Sequence, residues 1–224
     1  MTRIPVCIFA KPPVPGKVKT RLARSIGHEP AALLASAMLC DVWSTVADII
    51  EAIPVLAAAE EGCFPVAVPE ENVWLQGTGE LGLRIENIIR QGLRDAPAAI
   101  ALGADSPLIT GRHLKDALHR LESSEAVIGP SRDGGFYLLG LRRCPCGLLQ
   151  SLPWSTEEIA QRTQERLSLQ RMNIFQLETL LDVDTPGDLQ LLYNEVTAAS
   201  PEIAPATRQW FREHGPRSCL PESQ

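Results

Sequence analysis

Hydrophobic residues alternate along this chain between short unbroken runs and stripes with helical spacing. Ile4–Ala10 and Ala98–Leu102 are almost wholly apolar, as is typical of strands that are buried on both faces. From Leu34 to Ile50 an apolar residue recurs at every fourth position, which predicts a helix with one buried face. Runs and stripes then follow one another as far as Val196. This alternation predicts an α/β fold, built as a three-layer α/β/α sandwich around a mostly parallel sheet.

The other elements are predicted from the same two patterns. Further strands are predicted over residues 54–59, 64–68, 73–76, 126–129, 136–141 and 173–177. Apolar stripes predict helices that contain Leu81, Leu114 and Leu189, with Thr78 as the N-cap of the first of them. Ser155 or Thr156 is predicted to cap one more helix. Residues 1–197 are expected to form a single domain, and the proline-rich residues 198–224 a loosely packed tail with at most one short helix.

Composition narrows the classes of function. The 224 residues are 45% hydrophobic, enough for a sizeable core, and the formal net charge of −6 argues against a nucleic-acid partner. There is no run of 18 apolar residues, so no membrane span is expected. The six cysteines are scattered and do not resemble a disulfide framework. A reduced, cytoplasmic protein is therefore expected, and its oligomeric state is left open.

The cations of this acidic chain concentrate after the first predicted strand, in the segment FAKPPVPGKVKTRLA at residues 9–23. Prolines and Gly16 predict a loop, and a loop at this place faces the ligand crevice of a parallel sheet. Lys11, Lys17 and Lys19 are candidate point charges for phosphate oxygens, and Arg21 is a candidate bidentate donor. A plain solvated surface loop is the alternative interpretation.

Two acidic segments are candidates for cation binding. In Gly103–Pro107, Asp105 ends a buried strand, and Gly103 allows close approach of a ligand. Mg²⁺ prefers one or two carboxylates with water and substrate phosphates, although Asp105 is equally a candidate helix cap. In DVDTP, Asp182 and Asp184 alternate, so both face one side of an extended stretch, while Asp184 or the following threonine could cap the last helix.

A third acidic segment combines one acid with glycines and aromatic residues. Asp133 is followed by Gly134 and Gly135, which permit a tight backbone turn against a ligand. An ordinary turn between two strands explains the same residues.

Together these segments resemble the nucleotide-diphospho-sugar transferase superfamily. More closely, they resemble a bacterial family of uncharacterised glycosyltransferases (DUF2064-like) related to the phospholactate guanylyltransferases and the molybdenum-cofactor nucleotidyltransferases. The resemblance lies in FAKPPVPGKVKTRLA, LGADSPLI, GPSRDGGFYLLGL, PWSTEE and DVDTPGDL, which occur in the expected order. It implies a GT-A-like, Rossmann-type fold that binds a nucleoside diphosphate.

The resemblance also implies a role for each candidate residue. Lys11, Lys19 and Arg21 would contact the nucleotide phosphates, together with Gly16, Lys17, Gly103, Gly134 and Gly135. Asp105 and Asp184 would hold Mg²⁺ or Mn²⁺, with Asp182 as a reserve ligand. Asp133 would lie on the acceptor or sugar side, and it is the candidate catalytic group with Lys19.

Three functions stay open on these residues. The first is metal-dependent glycosyl transfer from a nucleotide-diphospho-sugar to an unidentified small-molecule acceptor. The second is nucleotidyl transfer of the guanylyltransferase type, which releases pyrophosphate from an NTP. The third is nucleotide binding without catalysis.

Overall fold

The computed structural model of the protein describes residues 2–215. Its seven strands are β1 (Ile4–Ala10), β2 (Ala52–Ala58), β3 (Val73–Leu75), β4 (Ala99–Gly103), β5 (Ala126–Pro130), β6 (Phe136–Leu141) and β7 (Ile174–Gln176). Its seven α-helices are α1 (Thr20–Ile26), α2 (His28–Ala47), α3 (Leu81–Gly92), α4 (Gly111–Ser123), α5 (Ile159–Leu169), α6 (Pro186–Ala198) and α7 (Pro205–His214).

The strands form one sheet in the order β3-β2-β1-β4-β6-β5-β7. β1 pairs in parallel with both β2 and β4, and β5 pairs in parallel with β7. β6 is antiparallel to both of its neighbours, so it alone runs against the other strands. The predicted mostly parallel sheet is therefore confirmed.

Helices cover both faces of the sheet, because alternate residues of each central strand face opposite layers. In β4, Ile100 and Leu102 pack in the cluster that contains apolar residues of α2 and α4. Ala99 and Ala101 pack in the cluster that contains residues of α3 and α5. The three-layer sandwich is confirmed, and it explains why these strands read as unbroken apolar runs.

Helix α2 is held in this core although its composition would also suit a membrane. Within residues 2–215 it alone is long and apolar enough to span a bilayer, a test that core helices also pass. Its buried Asp41 accepts hydrogen bonds from the backbone N–H groups of Ala206 and Thr207, each at 2.8 Å. α7 has no side-chain cap of its own, since its N-cap is Ala204. Asp41 thus supplies the missing acceptor at the N-terminus of α7.

The described part of the tail is accordingly packed rather than loose. Trp210 and Phe211 of α7 are buried in a cluster shared with α1, α2 and α6. The indole N–H of Trp210 donates to the carbonyl of Pro30 at the start of α2. The prediction of a loosely packed tail is therefore wrong for residues 205–214, and residues 216–224 lie outside the described residues.

Several local predictions are also wrong. Residues 64–68 form no strand, and Ile50 lies beyond the end of α2 and is 84% exposed. Glu80, not Thr78, is the N-cap of α3, and Glu158, rather than Ser155 or Thr156, is the N-cap of α5. The sequence patterns did not predict α1, in which residues 20–23 at the end of the cationic segment are helical. The ends of helices are what local sequence patterns specify least, which explains the errors at α2, α3 and α5.

Replacing Asp41 with alanine should lower the free energy of unfolding by about 3 kcal/mol, because two buried N–H groups of α7 lose their acceptor. Urea unfolding measures the change. Asp48→Ala, at the exposed end of the same helix, is the matched control and should change stability by no more than about 0.5 kcal/mol. Equal midpoints for the two variants would contradict the capping role of Asp41.

Candidate functional site

The candidate residues gather at the carboxyl ends of the parallel strands. β1 is followed by Lys11, β4 by Asp105 and β5 by Ser131. β1 lies between β2 and β4, so the chain leaves its carboxyl end at a point where neighbouring connections diverge. Open α/β sheets bind ligands in the crevice at such a point.

Lys19 is the centre of this group. It is the N-cap of α1 in a left-handed conformation, with φ of 46°, which is uncommon for a residue that carries a Cβ. Its ammonium lies 2.9 Å from Asp105 Oδ2 and 3.7 Å from Asp184 Oδ1. The Lys19 side chain is 6% exposed, whereas both carboxylates are 43% exposed. A single buried cation thus joins two acids that are 79 positions apart in the chain.

Local structure frees Asp184 for this contact. Thr185 is the N-cap of α6, Pro186 occupies its first turn, and Asp188 completes a capping box. The Asp184 side chain instead accepts a hydrogen bond from Arg21 at 3.0 Å. Of the alternatives left open for this segment, capping thus belongs to Thr185 and ion pairing to Asp184.

A backbone hydrogen bond ties the two acidic segments together. The N–H of Val183 donates to the carbonyl of Asp105 at 3.1 Å, and the Val183 side chain is buried. The side chains of Asp182 and Asp184 both line the open side of the site. This agrees with the predicted alternation of DVD.

Asp182 is the most strongly perturbed acid of the site. Burial, followed by repulsion from Asp105, raises its pKa to about 7, and attraction to Lys19 opposes the shift. The Ser106 hydroxyl donates to Asp182 Oδ1 at 3.1 Å. Asp182 therefore exchanges a proton near neutral pH, unlike an ordinary surface aspartate.

Lys19 stays charged in spite of its burial. Burial alone would lower its pKa, but the charges of Asp105, Asp182 and Asp184 and the hydrogen bond to Asp105 outweigh burial and raise the pKa. The site consequently holds a permanent positive charge beside its two paired carboxylates.

A cavity of about 450 Å³ opens on one side of Lys19. Its charged lining is Lys11, Lys17, Lys19, Arg21, Arg84, Asp105 and Asp184. The five cationic residues outnumber the two acids, and both acids are already paired with Lys19 or Arg21. An anionic ligand such as a diphosphate suits this cavity.

A second cavity of about 630 Å³ lies on the other side of the same acids. Both cavities share Phe9, Arg21, Leu81, Asp105 and Asp184. The second cavity adds Gly103, Asp133, Gly135, Asp182 and aromatic residues. Two ligands, one in each cavity, would therefore come together at Asp105 and Asp184.

The glycines and Asp133 have different places in the site. Asp133 Oδ1 accepts hydrogen bonds from the Ser131 hydroxyl at 2.5 Å and from the Gly135 N–H at 3.0 Å, which closes a turn. Gly134, with φ of 84°, allows the backbone of Glu157 to pack on that turn. Gly16 and Gly134 line neither cavity, so the structure does not bring these two predicted phosphate-binding residues to the ligand space.

The acids of the site suit a divalent cation only together with further ligands. Within residues 2–215, no three His, Cys, Asp or Glu side chains lie close enough together to form a metal cluster. Asp105 and Asp184 nevertheless converge on one ammonium ion. Since Mg²⁺ accepts two carboxylates when phosphates and water complete its shell, this pair is compatible with a cation bound together with a diphosphate.

Sequence reasoning missed two residues of the first cavity. Arg84, on α3, donates to the side chain of Gln76 at 3.0 Å, and Gln76 in turn donates to the carbonyl of Ala57 at 2.7 Å. The Arg84 Nε–H is buried without an acceptor among the described residues. A signal existed, because Gln76 follows an apolar run and an arginine lies on the predicted helix, but only the fold brings them together.

When no divalent cation is present, the protein should become less stable as pH rises from 4 to 7, and Asp182 should be the cause. Its pKa is higher in the folded chain than the ordinary 3.8, so the folded state binds more protons in this window. The free energy of unfolding then falls as pH rises, by at most about 4 kcal/mol. Asp182→Asn should flatten this dependence when urea unfolding is measured in EDTA. Asp116→Asn, in an exposed pair with Arg120, should leave the slope as it is in the wild type.

Fold and site together define a class of protein. A crystal structure of a candidate nucleotide-diphospho-sugar transferase from Desulfovibrio desulfuricans G20 matches with a TM-score of 0.87 and 26% identity, over 98% of this chain and 97% of that one. A cytidylyltransferase from Leptospira borgpetersenii serovar Hardjo-bovis shares the fold, with a TM-score of 0.53 and 13% identity over 100% and 99% of the chains. The fold and the similarity to the Desulfovibrio protein fit the nucleotide-diphospho-sugar transferase superfamily, as the sequence resemblance predicts.

A more particular similarity lies in the central part of the chain. Residues 48–156 match the model of a family described as an uncharacterized protein conserved in bacteria, DUF2064. Over 127 residues the chain is 30% identical to a 2-phospho-L-lactate guanylyltransferase from Methanocaldococcus vulcanius, which is 56% of each chain. The match thus spans about half the length of that curated relative.

Proposed function

We propose that the protein is a transferase that uses a nucleotide-activated donor, and that it transfers a glycosyl group from a nucleotide-diphospho-sugar. One observation carries this proposal. A cavity lined by five cationic residues meets a second cavity at a pair of acids held by Lys19, at the ligand-binding edge of the sheet. The similarity to the Desulfovibrio protein supports the same class of donor.

The donor's diphosphate lies in the first cavity under this proposal. Lys11, Lys17 and Arg84 neutralise its oxygens from the outer side, and Lys19 does so from the inner side. As the bond to the sugar breaks, negative charge develops on the leaving nucleoside diphosphate. Lys19, already charged and already fixed by Asp105, stabilises that charge without reorganisation.

Asp105 and Asp184 are the residues that would hold a Mg²⁺ or Mn²⁺ ion. A divalent cation supplies further neutralisation of the leaving diphosphate. Arg21 balances Asp184 on the side that faces both cavities. Asp182, which faces the second cavity, remains the reserve ligand.

Asp133 is proposed to orient the acceptor hydroxyl or to receive its proton. Two hydrogen bonds at Oδ1, from Ser131 and Gly135, fix the carboxylate in its turn. Asp133 lines the second cavity, which supports a role on the acceptor side.

Nucleotidyl transfer is the second candidate function. The identity with the guanylyltransferase favours it, and the same cations suit an in-line displacement that releases pyrophosphate. The two functions differ in what leaves the donor. Nucleoside diphosphate leaves in glycosyl transfer, and pyrophosphate leaves in nucleotidyl transfer.

Product analysis separates the candidates. The full chain is incubated with UDP-, GDP-, CDP- and dTDP-sugars and with the four NTPs, each with Mg²⁺ or Mn²⁺ and a mixture of acceptors. Release of nucleoside diphosphate from a nucleotide-sugar is expected. Pyrophosphate release from an NTP would instead establish the second candidate, and nucleotide binding without turnover would leave only a non-catalytic role.

A binding measurement tests the donor cavity by itself. Arg84→Gln should weaken nucleoside diphosphate binding by roughly tenfold or more, because a charged hydrogen bond to phosphate is lost. Arg94→Gln, an exposed position just beyond α3 that lines neither cavity, is the matched control. Equal dissociation constants for the two variants in calorimetric titration would place the phosphates elsewhere.

A further inference from the structure

The two cavities that meet at Asp105 and Asp184 have opposite charge. Among the residues described, five acidic residues and one arginine line the second cavity. The acidic residues are Asp105, Asp133, Glu157, Asp182 and Asp184, and the arginine is Arg21. In the first cavity, cationic residues outnumber acidic residues. The site therefore separates an anion-binding half from an anion-repelling half.

The cations near the second cavity are already engaged. Arg21 donates to Asp184 at 3.0 Å, and Lys19 lies 2.9 Å from Asp105. Even a divalent cation bound by these two acids would leave Asp133, Asp182 and Glu157 without a counter-charge in the wall. An incoming phosphate or carboxylate would meet Arg21 alone among the cations of this lining, and Arg21 already pairs with Asp184.

The remaining lining of the second cavity is largely apolar and aromatic. Phe136 and Trp154 form an edge-to-face pair with ring centroids 6.0 Å apart, and both line the cavity. Leu81 and Ile85, on α3, contribute to the same wall. Aromatic rings in this setting pack on the apolar face of a ligand, while carboxylates accept hydrogen bonds from its hydroxyl groups.

The backbone of Glu157 is fixed beside the second cavity, and its side chain is exposed. A Cβ on Gly134 would lie 2.0 Å from the Glu157 carbonyl oxygen, so only glycine permits this contact. The Gly134 carbonyl then accepts a hydrogen bond from the N–H of Ala160 at 3.0 Å. The start of α5 is thus attached to the turn of Asp133, and two carboxylate-bearing segments lie side by side at the cavity.

We infer that the acceptor is an uncharged hydroxyl compound with an apolar face, and that acceptors with a phosphate or carboxylate group are excluded. This inference rests on the proposed transferase function and names the substrate class of its second cavity. The acidic lining does not repel an uncharged hydroxyl compound. The hydroxyl groups of such a compound can donate hydrogen bonds to Asp133 and Asp182. The inference favours glycosyl transfer over transfer to a phosphorylated acid, because the latter acceptor would be repelled.

Matched acceptors test the inference with the full chain. Phenyl glucoside and glycerol are each compared with their own phosphate esters, in the presence of whichever donor the protein binds. The expected result is donor consumption with the uncharged member of a pair and at least roughly tenfold less with its ester. Preference for the esters, or no use of any uncharged compound although the donor is bound and hydrolysed, would overturn the inference alone. Failure to bind any donor would overturn the proposed function and the inference with it.

A charge variant supplies the second test. Glu157→Gln should lower the KM for the phosphate esters by roughly three- to tenfold relative to the uncharged acceptors, because it removes one repelling charge from the wall. Glu158→Gln is the matched control, since the neighbouring Glu158 pairs with Arg162 and lines neither cavity. Donor affinity, measured by titration in both variants, reports whether the first cavity is intact. If the ratio of the KM for the esters to the KM for the uncharged acceptors were the same in both variants, charge repulsion would not be the cause of acceptor selection.

Discussion

Lys19→Met should reduce kcat/KM by at least roughly a hundredfold, the largest loss expected from any single change in this site. Lys19 is the one buried cation that contacts both Asp105 and Asp184 within residues 2–215. Its ammonium is fixed before the donor binds, so its charge acts on the leaving diphosphate without reorganisation. Initial-rate kinetics with the donor that the product analysis identifies measure the loss.

Controls separate this loss from a general defect of folding. Lys115→Met, on α4 in a cavity away from the site, should keep full activity. In Lys19→Met the carboxylates of Asp105 and Asp184 lose their shared counter-charge. Mn²⁺ should therefore raise the thermal midpoint of this variant more than that of the wild type. Near-normal kcat/KM in a folded Lys19→Met protein would contradict the central role of Lys19.

Asp105→Asn is the second change with a large expected effect, a loss of kcat/KM on the order of 10²- to 10³-fold. Asp105 holds Lys19 at 2.9 Å and is a proposed ligand of the divalent cation, so its removal disturbs both sources of positive charge. Titration of the nucleoside diphosphate with and without Mn²⁺ measures how much the cation contributes to donor affinity. Donor affinity should increase with Mn²⁺ in the wild type and should not increase in the variant.

The matched control for this change is Asp95→Asn, an exposed aspartate between α3 and β4. It should keep both the activity and the effect of Mn²⁺. If Asp105→Asn retained the full Mn²⁺ effect, Asp105 would act only by positioning Lys19, and the proposed cation site would be wrong.

The layers of the fold were predictable because they depend on local pattern. The unbroken apolar run of Ile4–Ala10 predicts a buried strand, and the apolar stripe from Leu34 to Val46 predicts a helix. Both elements are confirmed, as β1 and α2. The run at residues 64–68 is equally apolar but forms no strand. Only neighbours with free hydrogen-bonding edges make such a run a strand, and those neighbours are not encoded within it.

The chemistry of the site was predictable in kind and only partly in position. Charges at the ends of apolar runs pointed to Lys19, Arg21, Asp105 and Asp184, which the structure brings together. Their catalytic and metal-binding roles stay predictions. Arg84 could not be assigned, since a lone arginine on an amphipathic helix is more often a solvated residue.

By itself, the sequence determined most of the order of strands and helices, apart from α1 and residues 64–68, and the segments that carry charge. Hydrophobic periodicity and turn residues act over a few positions, so local sequence carries that information. Only the tertiary structure decided that Lys19 begins a short helix and enters the space between two acids 79 positions apart. It also decided that one cavity is cationic and its neighbour acidic. The physical reason is that electrostatic coupling and burial depend on distance in space, which the chain acquires only when the sheet is assembled.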